Sequence, residues 1–355
     1  MNIKEILEDA ARAGASDIFL IGGLPLTYKI EKHQQRIDPE RRLMPDQLEE
    51  LIRELYQLVG RTPRNFAEKE DDFSFAIRGC GRFRANVFNQ RGCASAVIRV
   101  IRFGIPDALS LGLPPQLLNM ANLSGGLALV TGPAGSGKTT TLACVIDEIN
   151  RNQERTIITM EDPIEIVHSH QRSIVIQREI STDTESFSSA LKAALREAPD
   201  VMLIGEIRDG ETMETAMMAA ETGQLLFSSL HTLSAADTVD RILDFYPDKK
   251  QPQIRAQLAR VLKWVVCQKL VPTTRGRAVP VFEIMVVTPA IQNLIREGKT
   301  YQFASVIREG GRLGMQTMNS HLLELVERGI ITENVAMMNS NDPTGMEKRL
   351  NRGGI

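Results

Sequence analysis

Eight residues, Gly132-Pro133-Ala134-Gly135-Ser136-Gly137-Lys138-Thr139, fit the pattern GxxxxGK[ST] and stand after a short apolar run and before a helical stretch. That context is what phosphate binding needs. The glycines let the backbone curl until successive N–H groups face phosphate oxygens, and the dipole of the following helix adds positive potential. Lys138 is placed to reach the β and γ phosphates of ATP, Thr139 offers its hydroxyl to Mg²⁺, and Thr140 completes the phosphate-binding run. A chance glycine-rich turn would have to match the whole pattern and its strand and helix context as well. A second apolar run at 201–204 ends in Gly205-Glu206, from which a carboxylate can act on the Mg²⁺ shell or on the attacking water; alone it would read as a solvated strand end. Glu161-Asp162-Pro163-Ile164-Glu165 follows a third run at 156–159. One of its carboxylates can serve as general base while others order Mg²⁺, Glu161 among them, and the bland alternative is a proline-stabilised acidic turn. His231, in Ser229-Leu230-His231-Thr232, follows a fourth run and can hydrogen-bond a γ phosphate, although an isolated histidine is more often a packing residue.

Bringing these groups together requires strands that all deliver their carboxyl ends to one edge of a sheet. From Gly125 the sequence alternates apolar runs (127–131, 156–159, 201–204, 225–229) with helical stretches (138–150, 186–198, 212–221, 234–245), the pattern of a parallel α/β nucleotide-binding layout. After Gln251 the pattern is mostly helical. A helix over 251–268 would carry Trp264 into the core, a strand is expected at 279–284, and the polar, Asn- and Gly-rich stretch 339–355 reads as mobile. The first hundred residues read as α+β. Ile3, Ile6, Leu7, Ala10 and Ala11 recur at helical spacing, a strand pair at 17–21 and 26–30 flanks Gly22-Gly23-Leu24-Pro25, a helix follows at 45–59, and strands follow at 73–77, 82–88 and 94–101. The Gly- and Pro-bearing stretch 104–115 looks like a connection, so the expected division is 1–105, a linker at 106–115, an ATPase core at 116–285 and a helical region with a mobile tail at 286–355.

The whole sequence bounds these readings. Its 355 residues suit two domains at roughly 150 residues each. Hydrophobic residues at 43% and charged residues at 24% exclude disorder, collagen and a disulfide scaffold. The 42 Lys and Arg against 44 Asp and Glu argue against a broad electrostatic grip on nucleic acid, so no nucleic-acid partner is expected. Cys80, Cys93, Cys144 and Cys267 include no CxxC pair and read as reduced packing residues. Acids in the first nine residues contradict a signal peptide, and no apolar run approaches the roughly 18 residues of a membrane span, so the chain is expected in the cytosol. Lys249-Lys250 and Arg275-Gly276-Arg277 are short basic clusters that read as solvated loops.

The ordered set of motifs resembles the secretion ATPase superfamily that drives type II secretion and type IV pili. Residues 132–139 look like its Walker A motif, Thr159-Met160-Glu161-Asp162-Pro163-Ile164-Glu165 its Asp box, Gly205-Glu206-Ile207-Arg208-Asp209 its Walker B motif, and Ser229-Leu230-His231-Thr232-Leu233-Ser234-Ala235 its His box. The resemblance spans nearly the whole chain. It implies a PAS-like amino-terminal α+β domain, which includes Gly81-Arg82-Phe83-Arg84-Ala85-Asn86-Val87-Phe88, followed by a RecA-like P-loop ATPase domain with a carboxy-terminal helical extension. Within the superfamily the chain is similar to the pilus-retraction branch. It opens at the PAS-like domain without the further amino-terminal domains of assembly and secretion ATPases, lacks their zinc cysteines, and carries Ala290-Ile291-Gln292-Asn293-Leu294-Ile295-Arg296-Glu297, which looks like that branch's AIRNLIRE segment, with Gly314-Met315-Gln316-Thr317-Met318 beyond. Gln292 stands where the motif has Arg, and Phe19 where the family usually has His.

The resemblance implies an ATP- and Mg²⁺-dependent homohexamer that acts on pilin filaments through an inner-membrane platform protein, peripheral at the cytoplasmic face, with other pilus ATPases as possible partners. It also implies that Arg82, Arg84 and Arg91 approach the triphosphate, where a guanidinium fork suits spread phosphoryl charge; without it they read as cross-strand ion pairs. Glu206 is expected as the principal catalytic acid with Glu165 in support, and the general base is open between them. The alternatives are an assembly or secretion motor, a non-catalytic ATP-binding regulator of another pilus motor and, disfavoured by the acidic balance, a nucleic-acid motor.

Overall fold

The computed structural model describes residues 2–30, 33–62, 70–101 and 104–351. Two compact units divide the chain: residues 1–104 with 165–167, and 105–164 with 168–355.

In the first unit, α1 (Ile3–Arg12) begins at Asn2, whose side chain accepts from the Glu5 N–H while the Glu5 carboxylate accepts from the Asn2 N–H, so two amides of the helix start are satisfied reciprocally. After β1 (Asp17–Leu20), β2 (Thr27–Ile30) and β3 (His33–Arg36), α2 (Pro45–Leu58) opens on a proline, whose missing N–H has no partner to lose there. The unit closes with β4 (Asp71–Ile77), β5 (Gly81–Gln90) and β6 (Cys93–Ile101). These strands form one antiparallel sheet in the order β3-β2-β1-β6-β5-β4. Strand periodicity sorts β5 into buried Gly81, Phe83, Ala85 and Val87 and half-buried Arg82, Arg84, Asn86 and Phe88 on the other face. The buried side joins Ile6, Leu7, Leu48, Ile52 and Tyr56 of the two helices in one core. Strand β3, His-Gln-Gln-Arg, is exposed throughout and has no apolar alternation, which is why the sequence does not announce it.

The second unit is built on a seven-stranded sheet in the order β13-β12-β7-β11-β10-β8-β9. Its elements are β7 (Gly126–Thr131), α3 (Lys138–Asn152), β8 (Thr156–Glu161), β9 (Ile174–Glu179), α4 (Phe187–Ala194), β10 (Val201–Ile204), α5 (Gly210–Glu221), β11 (Leu225–Leu230), α6 (Ala235–Leu243), α7 (Gln251–Val261), β12 (Leu262–Pro272) and β13 (Ala278–Val286). The helices α8 (Pro289–Glu297), α9 (Phe303–Glu309), α10 (Met318–Glu327), α11 (Glu333–Asn339) and α12 (Pro343–Leu350) follow. All neighbours in the sheet are parallel except β13, antiparallel to β12. Both faces are covered, so β7 is buried along its whole length: Leu127 and Leu129 enter one apolar cluster with α5 and α6, Ala128 and Val130 another with α3.

Two expectations need correction, and one strand was not expected at all. The helix expected at 251–268 ends at Val261, and residues 262–272 form β12, because the run Leu262, Trp264, Val265, Val266 and Val271 is β-branched, aromatic and apolar and fills the place beside β7. Trp264 is buried as expected, but from a strand. The mixed sequence of β9 gave no strand signal, yet it extends the sheet beyond β8. The stretch expected to be mobile from 339 contains α12, capped by Asp342 through the Gly345 N–H at 3.0 Å and anchored by a fully buried Met346; residues 352–355 lie outside the described residues. Among the described residues no helix is long and apolar enough to cross a membrane.

Candidate nucleotide site

The phosphate loop leaves β7 in the middle of the sheet and enters α3. Its glycines answer specific demands. Gly132 has φ +142°, and a Cβ there would run into the Gln268 carbonyl and come within 2.9 Å of Ser136 Oγ. Gly137, at φ +89°, is the residue that caps α3, and it brings no side-chain oxygen to the first-turn amides, whereas α5 and α6 are capped by Asp209 and Ser234. The amide end of α3 is thus left to a ligand. Lys138 is buried, and its Nζ donates to the carbonyls of Gly132 at 2.9 Å and Pro133 at 3.0 Å, closing the loop on its own ammonium. Pro133, Ala134 and Gly135 form the exposed crest, and Thr139 and Thr140 are half-buried in the first turn of α3. Ser136 Oγ is buried without a hydrogen-bond partner, the kind of orphan that an incoming phosphate oxygen satisfies.

Because β7, β11, β10 and β8 run parallel, the loops after them share one edge, as the sequence required. The end of β11 ties two of them together: the Leu230 carbonyl accepts from the Gly132 N–H at 3.3 Å and the Ser229 carbonyl from the Ile207 N–H at 3.2 Å. Beyond β10, Glu206 is held between Arg208 and His231. One carboxylate oxygen accepts from Arg208 Nη2, and the other lies 3.2 Å from His231 Nε2. Burial pushes the Glu206 carboxyl up, but the bonds from Arg208 and His231 outweigh it and hold the group below the ordinary carboxylate range. Glu206 and His231, each expected at this edge, are thus also in contact with one another, which was not expected. The sequence assigns no role to Arg208, whose charged form is favoured first by Glu206 and further by Asp162.

The remaining candidates are placed differently. Glu161, at the end of β8, is buried, and its Oε1 accepts from Thr159 Oγ1 at 2.6 Å and Gln177 Nε2 at 3.1 Å. Glu165 is exposed and falls with the first unit. Side chains of β9 strap both ends of the intervening loop: Glu179 Oε2 accepts from the Ile164 N–H at 3.1 Å and Gln177 Oε1 from the His168 N–H at 2.8 Å. In the first unit Arg82 and Arg84 share one face of β5, Arg84 forks Asp72 at 2.9 and 2.6 Å, and Arg91 sits exposed in the β5–β6 turn at φ +51°. Asp209, the last residue of the Walker B run, caps α5 through the Thr212 N–H at 2.8 Å. The residue the sequence missed is Gln268 of β12, buried against the phosphate loop, with Nε2 2.7 Å from the Ser136 carbonyl and Oε1 2.7 Å from Thr141 Oγ1. It lay inside the stretch read as helix, where no signal pointed at the loop.

A mostly parallel sheet with a phosphate loop after β7, an acid after β10 and a histidine after β11 defines a P-loop nucleotide-binding protein of the mixed α/β class. Residues 1–338 match the type II/IV secretion system protein family, and the chain belongs to that family. It is 42% identical to the type IV pilus retraction ATPase PilT of Pseudomonas aeruginosa over 97% of this chain and 99% of that protein. It is 36% identical to the type IV pilus ATPase PilU of the same organism over 99% of this chain and 92% of that one. A crystal structure of the pilus retraction motor PilT with bound ADP superposes with a TM-score of 0.88 at 43% identity, covering 98% of this chain and 99% of that one.

Proposed function

We propose that this chain is an ATP-hydrolysing motor, working as a homohexamer, that powers type IV pilus retraction and so twitching motility. The observation that carries the reading is the Glu206 carboxylate, held ionised by Arg208 and His231 on the sheet edge it shares with the phosphate loop. A carboxylate kept charged there accepts the proton of an attacking water or holds a divalent cation. The direction of the motor rests on similarity to PilT along nearly the whole length. Residues 132–140 hold the phosphates of ATP. Lys138 exchanges its two loop carbonyls for phosphate oxygens, and the orphaned Ser136 hydroxyl and the uncapped amides of α3 fit the same anion. The Thr139 hydroxyl and Glu206 carboxylate are hard oxygen donors of the kind Mg²⁺ takes alongside phosphates, and Glu161, already held by two donors, orders the ion's surroundings. Bound Mg²⁺ would neutralise charge developing on the transferred phosphoryl group.

The finer assignments belong to the same reading. The first unit is a PAS-like domain occupying 1–105, 106–115 is a linker, 116–285 is a RecA-like core and 286–355 is a helical region. Arg82, Arg84 and Arg91 serve the triphosphate, His231 reports the γ phosphate, and Glu165 supports Glu206. The motor acts at the cytoplasmic face of the inner membrane on a platform protein, with other pilus ATPases as partners. Mg²⁺-dependent hydrolysis by the purified protein, with oligomeric mass followed in parallel, tests it. Glu206→Gln is expected to keep ATP binding and lose turnover about 100-fold or more, and Lys138→Ala to lose binding. Accumulation of surface pili on deletion of the gene is expected of a retraction motor, loss of pili of an assembly motor. Binding without hydrolysis in the parent would replace the motor with a regulatory ATP-binding subunit.

A further inference from the structure

Gln268 is remote in sequence from the phosphate loop and reaches it through the sheet. Strand β12 runs parallel to β7 with Cys267 opposite Thr131, so the next residue stands beside Gly132, where the loop begins. Its side chain is 3% exposed, and both ends of its amide are used. A backbone carbonyl can only accept, so the group facing Ser136 O must be the NH₂, which leaves the amide oxygen for the Thr141 hydroxyl; this fixes the amide's orientation. The loop is moulded to this residue. A side chain at Gly132 would strike the Gln268 carbonyl, and one at Gly137 would come within 2.9 Å of Gln268 Nε2. Thr141 in turn belongs to the first turn of α3, its N–H donating to the Gly137 carbonyl at 3.0 Å. One amide thus ties Ser136, at the end of the loop, to the helix that follows it.

We infer that Gln268 is a positioning residue of the phosphate site: by holding the Ser136 carbonyl it sets the Ser136–Gly137 peptide so that the Gly137 N–H faces the phosphate. The reason is peptide geometry. In a planar trans peptide the C=O and N–H point in opposite directions, so a carbonyl drawn towards β12 turns the N–H of the same unit away from the strand. Left without its donor, that peptide can rotate, and an amide of the cradle is lost to the nucleotide. The inference rests on residues 132–139 being the nucleotide site. Its test uses the full chain in its native oligomer, a fluorescent ADP analogue for affinity, steady-state hydrolysis, and the melting temperature without nucleotide. Gln268→Glu keeps the acceptor for Thr141 and removes the donor to Ser136. Gln268→Met removes both with little change in volume, and Thr141→Val breaks only the other bond. Both Gln268 variants are expected to weaken the ADP analogue and raise KM for ATP about tenfold, with kcat at saturation changing less than threefold and melting without nucleotide close to the parent. Thr141→Val should leave KM within about threefold. Parent-like affinity and KM in either folded Gln268 variant overturns the inference. So does an equal loss in Thr141→Val, which would mark a merely structural link. Lys138→Ala in the same assay separates this failure from that of the site: if it still binds as the parent does, the loop is not the nucleotide site at all.

Discussion

Glu206 is a carboxylate pulled in two directions. Burial favours its neutral form, while Arg208 and His231 favour the charged one and prevail. A general base in this position has its acid limit set by those two neighbours, so the limit should move when one is removed. Arg208→Ala is expected to shift the acidic limb of the kcat/KM profile to higher pH, because burial then meets only His231. An unchanged limb would show that the profile reports a different group. Glu161 differs in kind. Its carboxylate accepts from Thr159 and Gln177 and is buried, so it is fixed before any ligand arrives, whereas Glu165 is exposed. That contrast could not be read from the string Glu161-Asp162-Pro163-Ile164-Glu165, in which both are acids after a strand. One of the two bonds that fix Glu161 comes from Gln177 of β9, a strand the sequence does not announce.

Elements of the second unit were legible where one stretch of chain carries its own signal. The strands β7, β8, β10 and β11 are short apolar runs buried on both faces, and the helices after them carry polar starts such as Ser186, Asp209 and Ser234 that serve as caps. The phosphate loop was legible for the same reason: its chemistry is contiguous. Illegible were the elements whose conformation is decided by a distant neighbour. Residues 262–268 continue the α7 pattern although Trp264, Val265 and Val266 also suit a strand, and the edge of β7 decides between the two, so the sequence alone does not bring Gln268 to the loop. Helix α12 is the other case. Its polar sequence hides Met346, which is fully buried in the cluster shared with α10 and α11. Truncating such a side chain costs about 2–5 kcal/mol where the cavity cannot collapse. Met346→Ala should therefore lower the melting temperature of the second unit measurably and raise protease sensitivity around 343–350. A mobile tail would make the same substitution silent.

Across the molecule, stability against pH is a sum of buried groups pulling in opposite senses. Burial pushes the carboxyls of Asp147, Asp240 and Glu283 up, so the folded chain binds their protons more readily than the unfolded chain does, and their contribution favours the fold as pH falls. Burial pushes His168 and His321 the other way. His168 is 7% exposed, its Nδ1 has no hydrogen-bond partner, and its ring is pushed down from 6.5 to about 4. Between those values the unfolded chain takes up a proton that the folded chain refuses, so this histidine supports the fold above about pH 6.5 and its support is lost progressively as pH falls towards 4. One proton gives a slope of at most about 1.4 kcal/mol per pH unit. The opposing carboxyls act against that slope in the parent, but they are common to parent and variant and cancel in the difference. His168→Asn is therefore expected to cost stability at pH 7.5, where the neutral ring packs, and to lose less than the parent on acidification to pH 5, so that the two melting curves converge. Parallel melting temperatures from pH 7.5 to 5 would show that His168 titrates in the fold as it does in the unfolded chain, and that the protein's acid sensitivity lies elsewhere.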